Sequence, residues 1–389
     1  MQTASESWIE SNSRPFTTQA SVALTIETPD DRMIFVSNER IFSYKHEFSG
    51  DLMSGSISYS KITAKINNRD GVFGDGSVDS ETYNNCRIVV NYGFKRINGN
   101  AYDGIKGGLY YINSYKIDDD SKTVTITAVD ILSLMTNIIT SPWDSEQTAF
   151  FWVETVKRQS NLSKIVPVAD LQIEYDDDFF RTVYFVFPTT TKKTCREVLQ
   201  LVANGCKCVL YVDRDNVIRI EPINRMVNKN YVISKSVQYT RPKLSFDNAI
   251  NGMILYSNNA RTKKDEDPDL TGRNQIMENE ALYSEFGKLY SAELLEFYYA
   301  FFYEAKVTFS GTWRADPRLE LFDTILIETN GEIEPACITF VSMEFSGSWK
   351  GNYKAKSINA RGYYTSISSL EKYKISELET SSIIELEGE

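Results

Sequence analysis

Residues 86–130 read CRIVVNYGFKRINGNAYDGIKGGLYYINSYKIDDDSKTVTITAVD, and the period of this stretch decides the fold. CRIVVNYG (86–93), GLYYINSYKI (108–117) and KTVTITAVD (122–130) alternate apolar and polar residues, the two-residue period of a half-buried strand. The turn Asp118-Asp119-Asp120-Ser121 separates the last two. Toward the N-terminus, SVALTIE (21–27), RMIFVSN (32–38) and ISYSKITAKI (57–66) have the same character, and NNRDGVFGDG interrupts them as a turn-rich loop. Six such runs with little helix predict an antiparallel barrel or sandwich. DILSLMTNII (130–139) reads as a short helix packed against it.

Toward the C-terminus the period changes. EQTAFFWVETVKRQ (146–159) predicts a helix, followed by an acidic stretch and an aromatic strand, TVYFVF. Thr194 with Glu197 forms a capping-box pattern ahead of the apolar face Val198, Leu199, Leu201 and Val202. Gly205 stands where a left-handed C-terminal cap is expected. CVLYV, the turn Asp213-Arg214-Asp215-Asn216 and VIRIEP complete a helix–hairpin unit. From 230 onward YVISKSVQYT and NAINGMILYS read as strands, 258–273 as an exposed loop, and 291–303 as a helix on Leu294, Leu295, Tyr298, Phe301 and Phe302. KVTFSGTW, DTILIET, CITFVSMEF and YKAKSINA return to strands, and the last twenty residues form an acidic helix or tail. RIVVNYG, LYYINSYKID and TVTITAVD run parallel in kind and order to TILIETNG, CITFVSMEFSG and YKAKSINA, a faint internal repeat.

Composition narrows the chemistry. At 389 residues two to four domains are expected, and 42% hydrophobic with 24% charged residues excludes wholesale disorder. Twenty-three Tyr and 21 Phe stand against a single histidine, His46, which argues against histidine-rich metal sites and Ser-His-Asp triads. A net charge of −11 argues against general nucleic-acid binding, which draws on clustered Lys and Arg. No run approaches 18 apolar residues, so no bilayer span or stable membrane insertion is expected, and MQTASESWIE lacks the features of a secretory signal. Cys86, Cys195, Cys206, Cys208 and Cys337 are irregularly spaced and complete no zinc pattern; they read as buried, reduced thiols.

The motifs that tempt a chemical reading each have a plain one. DGVFGDG, with glycines at 71, 74 and 76, lacks both the dinucleotide and the P-loop order and reads as a loop needing positive φ. Asp265, Asp267 and Asp269 imitate calcium-loop ligands, but Pro268, Leu270 and Ile276 break the pattern; a solvated charge run is the reading, with an adventitious ion left open. Glu174 with Asp176, Asp177 and Asp178 offers paired carboxylates for glycoside hydrolysis or a solvated turn. Trp313, Trp349 and Tyr353 fit either sugar stacking or a core or subunit interface. His46, between Lys45 and Glu47, reads as a surface residue. No catalytic, cofactor-binding or metal-ligating residue is assigned, and no cofactor is expected.

In order, these pieces resemble the baseplate and tail-tip hub proteins of tailed bacteriophages and of related contractile injection systems. Four stretches carry the resemblance. SGSISYSKITAKINNRDGVFGDG, CRIVVNYGF and GGLYYINSYKIDDDSKTVTITAVDIL look like the family's first tube domain. TCREVLQLVANGCKCVLYVDRDNVIRIEP is similar to its middle helix–hairpin. VTFSGTWRADPRLELFDTILIET is similar to the entry into the second tube domain, and FVSMEFSGSWKGNYKAKSINARG to its final hairpin. The likeness spans roughly residues 20–365, and the chain departs from it in carrying Leu321-Phe322-Asp323 where the family usually has Gly before that Asp.

The resemblance implies a mainly β (α+β) chain of two antiparallel tube-type β-barrels with inserted helix–hairpin domains. The expected divisions are 1–143, 144–229, 230–365 with a helical insertion around 272–305, and an acidic tail at 366–389. It implies a structural protein without enzymatic activity: a homotrimer forming a pseudo-sixfold ring between a sixfold tail tube or distal tail protein and threefold spike, tip or fibre proteins, with the tape measure protein a further neighbour. DNA would pass without specific binding, past a wall expected to be acidic. The implied location is the virion tail tip, assembled in the host cytoplasm. A receptor- or carbohydrate-binding tail protein and a carboxylate-based cell-wall hydrolase are the alternatives.

Overall fold

The computed structural model describes residues 4–6, 8, 20–28, 32–75, 82–95, 102–140, 144–160, 162, 171–190, 192–222, 231–247, 250–257, 261–264, 273–283, 288–304, 307–329 and 332–358. The aspartates at 265, 267 and 269 and the tail at 366–389 lie outside them. Strands β1–β7 are Ala20–Glu27, Met33–Val36, Ile41–Ser49, Tyr59–Asn67, Arg87–Lys95, Tyr102–Asp118 and Thr123–Val129. Short strands β8–β10 (Gln147–Thr148, Ile173–Glu174, Tyr184–Phe185) and the hairpin β11–β12 (Cys208–Val212, Ile218–Pro222) follow. Then come β13 (Val232–Ile233), β14 (Lys243–Phe246), β15 (Ile250–Ser257), β16 (Arg261–Lys264) and β17 (Arg273–Asn279). The chain closes on β18 (Val307–Trp313), β19 (Thr324–Glu328), β20 (Ile333–Phe345) and β21 (Trp349–Ser357). The helices are α1 (Ile131–Leu134), α2 (Ala149–Gln159), α3 (Asp177–Phe180), α4 (Cys195–Gly205) and α5 (Lys288–Glu304).

The chain is mainly β, and its strands gather in one large, mostly antiparallel sheet that runs β14-β18-β21-β20-β3-β4-β7-β6-β5-β1-β2, with β19 pairing β20 and β13. Two sets of six strands within it have the same order. One is β3-β4-β7-β6-β5-β1 and the other β14-β18-β21-β20-β19-β13. They also match in chain order, β1 with β13, β3 with β14, β4 with β18, and β5–β6–β7 with β19–β20–β21. The last pairing differs, β1–β5 being antiparallel and β13–β19 parallel. The long strands β6 and β20 each carry register shifts, between Ile112 and Ser114 and between Ile338 and Phe340, that let one strand serve different neighbours along its length. Among the described residues no pairing joins β3 to β1 or β2, or β14 to β13, so the two units are parts of one open sheet.

Strand β3 is absent from the sequence reading, although it sits at the centre of this sheet. IFSYKHEFS buries Tyr44, His46 and Phe48 on one face. An inward histidine disguises the alternation as a polar run. Likewise β14 and β17 lie outside the strands that the sequence period marks, and β16 occupies part of the expected loop, paired with β15.

Between the units lies a second body with its own core. Helix α4 begins at the expected capping box: Thr194 accepts from the Glu197 backbone N–H, and the Glu197 carboxylate accepts from the Thr194 N–H. Its end differs from expectation. Gly205 is the last helical residue and Lys207, with φ 60°, takes the left-handed position. Gly205 is required for another reason, since a Cβ there would meet the Phe185 ring at 2.6 Å. Only 131–134 of the expected 130–139 helix is helical, because the following residues pair instead with the entry to α4 through Ile138 and Thr194. Helix α2 starts at 149, with Thr148 as N-cap, because 147–148 pairs with 184–185. Met253, Leu255, Leu294, Leu295 and Tyr298 from β15 and α5 pack into this same core with Trp152, Val198 and Leu199. The Thr194→Ala variant is expected to lose about 1 kcal/mol of unfolding free energy, read as a lower urea midpoint at unchanged m-value.

Candidate functional site: the seam between the two units

The units meet where the second half of β20 pairs with β3, from Phe340 opposite Ser49 to Phe345 opposite Tyr44. One bond beyond, the Gly50 N–H donates to the Thr339 carbonyl at 2.9 Å. A Cβ on Gly50 would lie 2.5 Å from the Phe322 ring. Phe322 itself holds φ 64° while 5% exposed. A large residue thus holds a left-handed backbone that glycine would adopt at little cost. The Phe322 ring is kept there by Gly50 on one side and by an edge contact with Tyr211, centroids 5.5 Å apart, on the other.

The inserted body closes the seam through the β11–β12 turn. Arg214, at its tip, is buried and donates to the carbonyls of Lys106 in the first unit (2.9 Å) and of Pro317 and Leu319 (2.9 Å) in the second. Its Nε also lies 3.2 Å from the Glu320 carboxylate. The guanidinium fork suits this role, since it offers several fixed donors to acceptors on different strands. The connection from β3 to β4 docks on the same body. Asn204 and Gln200 donate to the carbonyls of Met53 (2.8 Å) and Ser54 (3.0 Å), and the Ser54 hydroxyl donates to the Cys208 carbonyl at 2.9 Å.

Beside Arg214 lies a buried polar chain. Its centre is His46, 3% exposed, which overturns the surface reading. The Tyr44 and Tyr92 hydroxyls lie 2.8 Å apart, Tyr92 meets His46 Nδ1 at 2.9 Å, and His46 Nε2 meets Tyr110 at 2.8 Å and Ser60 at 2.9 Å. A neutral ring, with one nitrogen donating and the other accepting, fits these partners. Burial, helped by the nearby Arg214 charge, lowers the His46 pKa to about 3. Burial likewise pushes Tyr92 up to about 12. Asp130, which caps α1 and accepts from the Ser60 N–H, is raised by burial to about 6.

The other candidates dissolve into structure. Trp313, Trp349 and Tyr353 are at most 2% exposed, and Trp349 packs edge-on against Tyr92 at 5.0 Å, so they form core and no groove for a sugar. Asp176, Asp177 and Asp178 are all exposed; Asp176 caps α3 and Glu174 pairs with Arg219. Gly71 and Gly74 take φ 67° and 80° in the loop that follows β4. The five cysteines are free and buried, and no cluster of His, Cys, Asp and Glu among the described residues is placed to hold a metal ion. No helix among them is long and apolar enough to cross a membrane.

Several edges of the large sheet lack a partner strand among the described residues, the terminal strand β2 and β13 among them, and two of them correspond to the two sides of the seam. One is β14, whose Leu244 and Phe246 are 42% and 69% exposed. The other is the far half of β6, from 113 to 118, where β7 lies on one side only and Asn113, Ser114, Lys116 and Asp118 are exposed.

No protein-family model and no curated protein sequence matches the chain. In fold it is similar to a tail protein from Neisseria meningitidis MC58, with a TM-score of 0.56 at 9% identity over 87% of this chain and 96% of that one. The 43 kDa tail protein of prophage MuSo2 from Shewanella oneidensis also gives 0.56 at 9% identity, over 86% and 98%. Prophage tail protein gp18 from Listeria monocytogenes EGD-e gives 0.52 at 9%, over 90% and 97%. The fold of this chain is thus one that these phage-type tail proteins share.

Two outcomes test the seam. Arg214→Ala removes the guanidinium donors from three carbonyls and its ion pair with Glu320 and is expected to cost about 3–5 kcal/mol in urea unfolding. An unfolded histidine takes up a proton near 6.5, the folded one only at about 3, so this group's contribution is complete above pH 6.5 and is lost as the pH falls, by about 2 kcal/mol at pH 5. Asp130 acts in the opposite sense, because its folded carboxyl protonates first as the pH drops through 6. Comparison with His46→Gln isolates the histidine: stability of the unaltered protein should fall more steeply from pH 7 to pH 5 than that of the variant, and parallel pH profiles would refute the assignment.

Proposed function

We propose that the chain is a non-enzymatic structural component of the tail tip or baseplate of a tailed phage or related contractile injection system. In this reading three copies close into a ring of six matching units that joins a sixfold tube to a threefold spike or tip and lets DNA pass. The observation that carries it is a joint filled in one place and vacant in its counterpart. Within the chain, β3 of the first unit pairs with the far half of β20 of the second. The matching elements, β14 of the second unit and the far half of β6 of the first, each have a partner strand on one side only among the described residues. A second copy supplies the other side of both, β14 of one chain lying on β6 of the next. Such a head-to-tail contact generates a closed ring when its rotation closes. The exposed Leu244 and Phe246 support it, because an apolar edge strand left in water is a liability that a neighbouring strand removes.

The remaining features of the reading follow from that ring. The units act as its two tube modules, closing into barrels in the assembly, within divisions at 1–143, 144–229, 230–365 with its helical insertion around 272–305, and 366–389. Its neighbours are tail tube or distal tail, spike, tip or fibre, and tape measure proteins, and it is a virion component assembled in the host cytoplasm. Native mass measurement should find three times the 44.4 kDa chain. A Ser114→Cys/Ser245→Cys double variant treated with a short bismaleimide should give covalent dimer and trimer, and neither single variant should. A strict monomer at micromolar concentration overturns the ring; a trimer without this cross-link moves the joint elsewhere.

A further inference from the structure

Residues directly opposite on neighbouring strands share a face, so the ladder can be followed across eight strands, from β14 to β6. Lys243 faces Ser310, Ser310 faces Lys354, and Lys354 faces Phe340. Lys350 faces Glu344, which faces Lys45, which faces Thr63, then Thr127 and Ser114. Lys65 faces Thr125 and Thr125 faces Lys116; Lys61 faces Glu47 and Glu47 faces Ser342. The opposite face of the same strands is core, with Ile62, Ala64, Ile126, Phe309 and Tyr353 buried.

The free face is therefore one surface of uniform chemistry. The first unit contributes Lys45, Lys61, Lys65 and Lys116, and the second Lys243, Lys350, Lys354 and Lys356. Against them stand Glu47, Glu344 and Asp118, with Lys45 paired to Glu47 at 2.6 Å and Lys356 to Asp247 beyond the sheet. Between the charges are hydroxyls, among them Thr63, Thr125, Thr127, Ser310 and Thr312. Two aromatics share the face, Phe340, half-buried beneath the Lys354 ammonium at 5.8 Å, and Tyr59, which stands opposite Ser49 and is 39% exposed. None of the eight strands contains an arginine. In a chain of net charge −11 this face is net positive.

We infer that this face is a sequence-independent contact surface for the phosphate backbone of duplex DNA. Lysines and hydroxyls are phosphate donors, and lysine, the charge that dominates this face, is depleted in protein–protein interfaces. Arginine would bring bidentate, geometrically fixed phosphate clamps; lysine is a point charge on a flexible stem. An array of point charges releases counterions wherever the duplex lies, which lets it slide without a preferred register. The surface chemistry stands on the sheet alone; only its placement, on the wall of the channel, rests on the ring reading. There it makes the wall basic, opposite to the expectation drawn from the chain's average charge.

The test is fluorescence anisotropy of the full chain with a labelled random-sequence duplex of about 30 base pairs, between about 50 and 200 mM salt. Binding should weaken linearly in log–log form, with a slope of about −3 to −5. A Lys61→Gln/Lys65→Gln/Lys354→Gln variant, altered only at exposed positions, should keep its thermal midpoint. It should lose about tenfold in affinity at low salt, with a slope shallower by about 2–3. No binding at the lowest salt, or equal binding by the variant, overturns the proposal. Tighter binding of poly-L-glutamate than of the duplex also overturns it, in favour of an acidic protein partner. Native mass of the same samples separates the two readings: a trimer that ignores DNA sinks only the surface, and a monomer that binds through these lysines sinks only the ring.

Discussion

The pairing of β20 with β3 is the constraint on which the rest depends. It turns two sets of strands into one sheet and gives β20 a neighbour along both edges. It also fixes where three separate connections must go. Gly50 must lack a side chain because Phe322 lies against it, Phe322 must hold a left-handed backbone to put its ring there, and Arg214 must reach carbonyls on both sides. A non-glycine residue at positive φ costs on the order of 1 kcal/mol, and it persists because the surrounding contacts over-determine it.

Local signals in the sequence survive well and long-range ones do not. The capping box at Thr194 and Glu197 and the hairpin around Asp213–Asn216 are set by residues a few positions apart, and both stand as read. The strand triplets that end each unit are likewise legible from their period. The seam is not, because nothing in IFSYKHEFS announces a partner near the far end of the chain. His46 shows why: the rule that histidine beside two charged residues is exposed fails once tyrosines and a serine satisfy both ring nitrogens. The aromatics Trp313, Trp349 and Tyr353 were legible as either core or site, and only packing decides between those. At Gly205 the residue type suits a helix end, but what the fold takes from it is steric room for Phe185 in place of backbone freedom.

Charge is the sharpest case of an average that misleads. The acidic total is a property of the whole chain, whereas the sheet's free face alternates inward apolar and outward basic or hydroxyl residues with the period of two that made the strands visible at all. The information about the face was present in YSKITAKIN and WKGNYKAKS, where every outward charged position is lysine. It could not be read as one surface until the register showed that these two strands contribute to the same side of the same sheet.

The matching of the two units has a consequence for assembly. Where one chain carries both, the joint between them forms as part of folding, at an effective concentration set by the intervening chain and independent of dilution. A ring of such chains then has only half of its joints left to close by encounter. Each encounter costs translational and rotational freedom, so tethering the units in pairs halves the number of times that cost is met. The tethered joint is also free to diverge from its untethered counterpart, since it need not be self-sufficient. In this chain β3 is long and covered where β14 is short and bare.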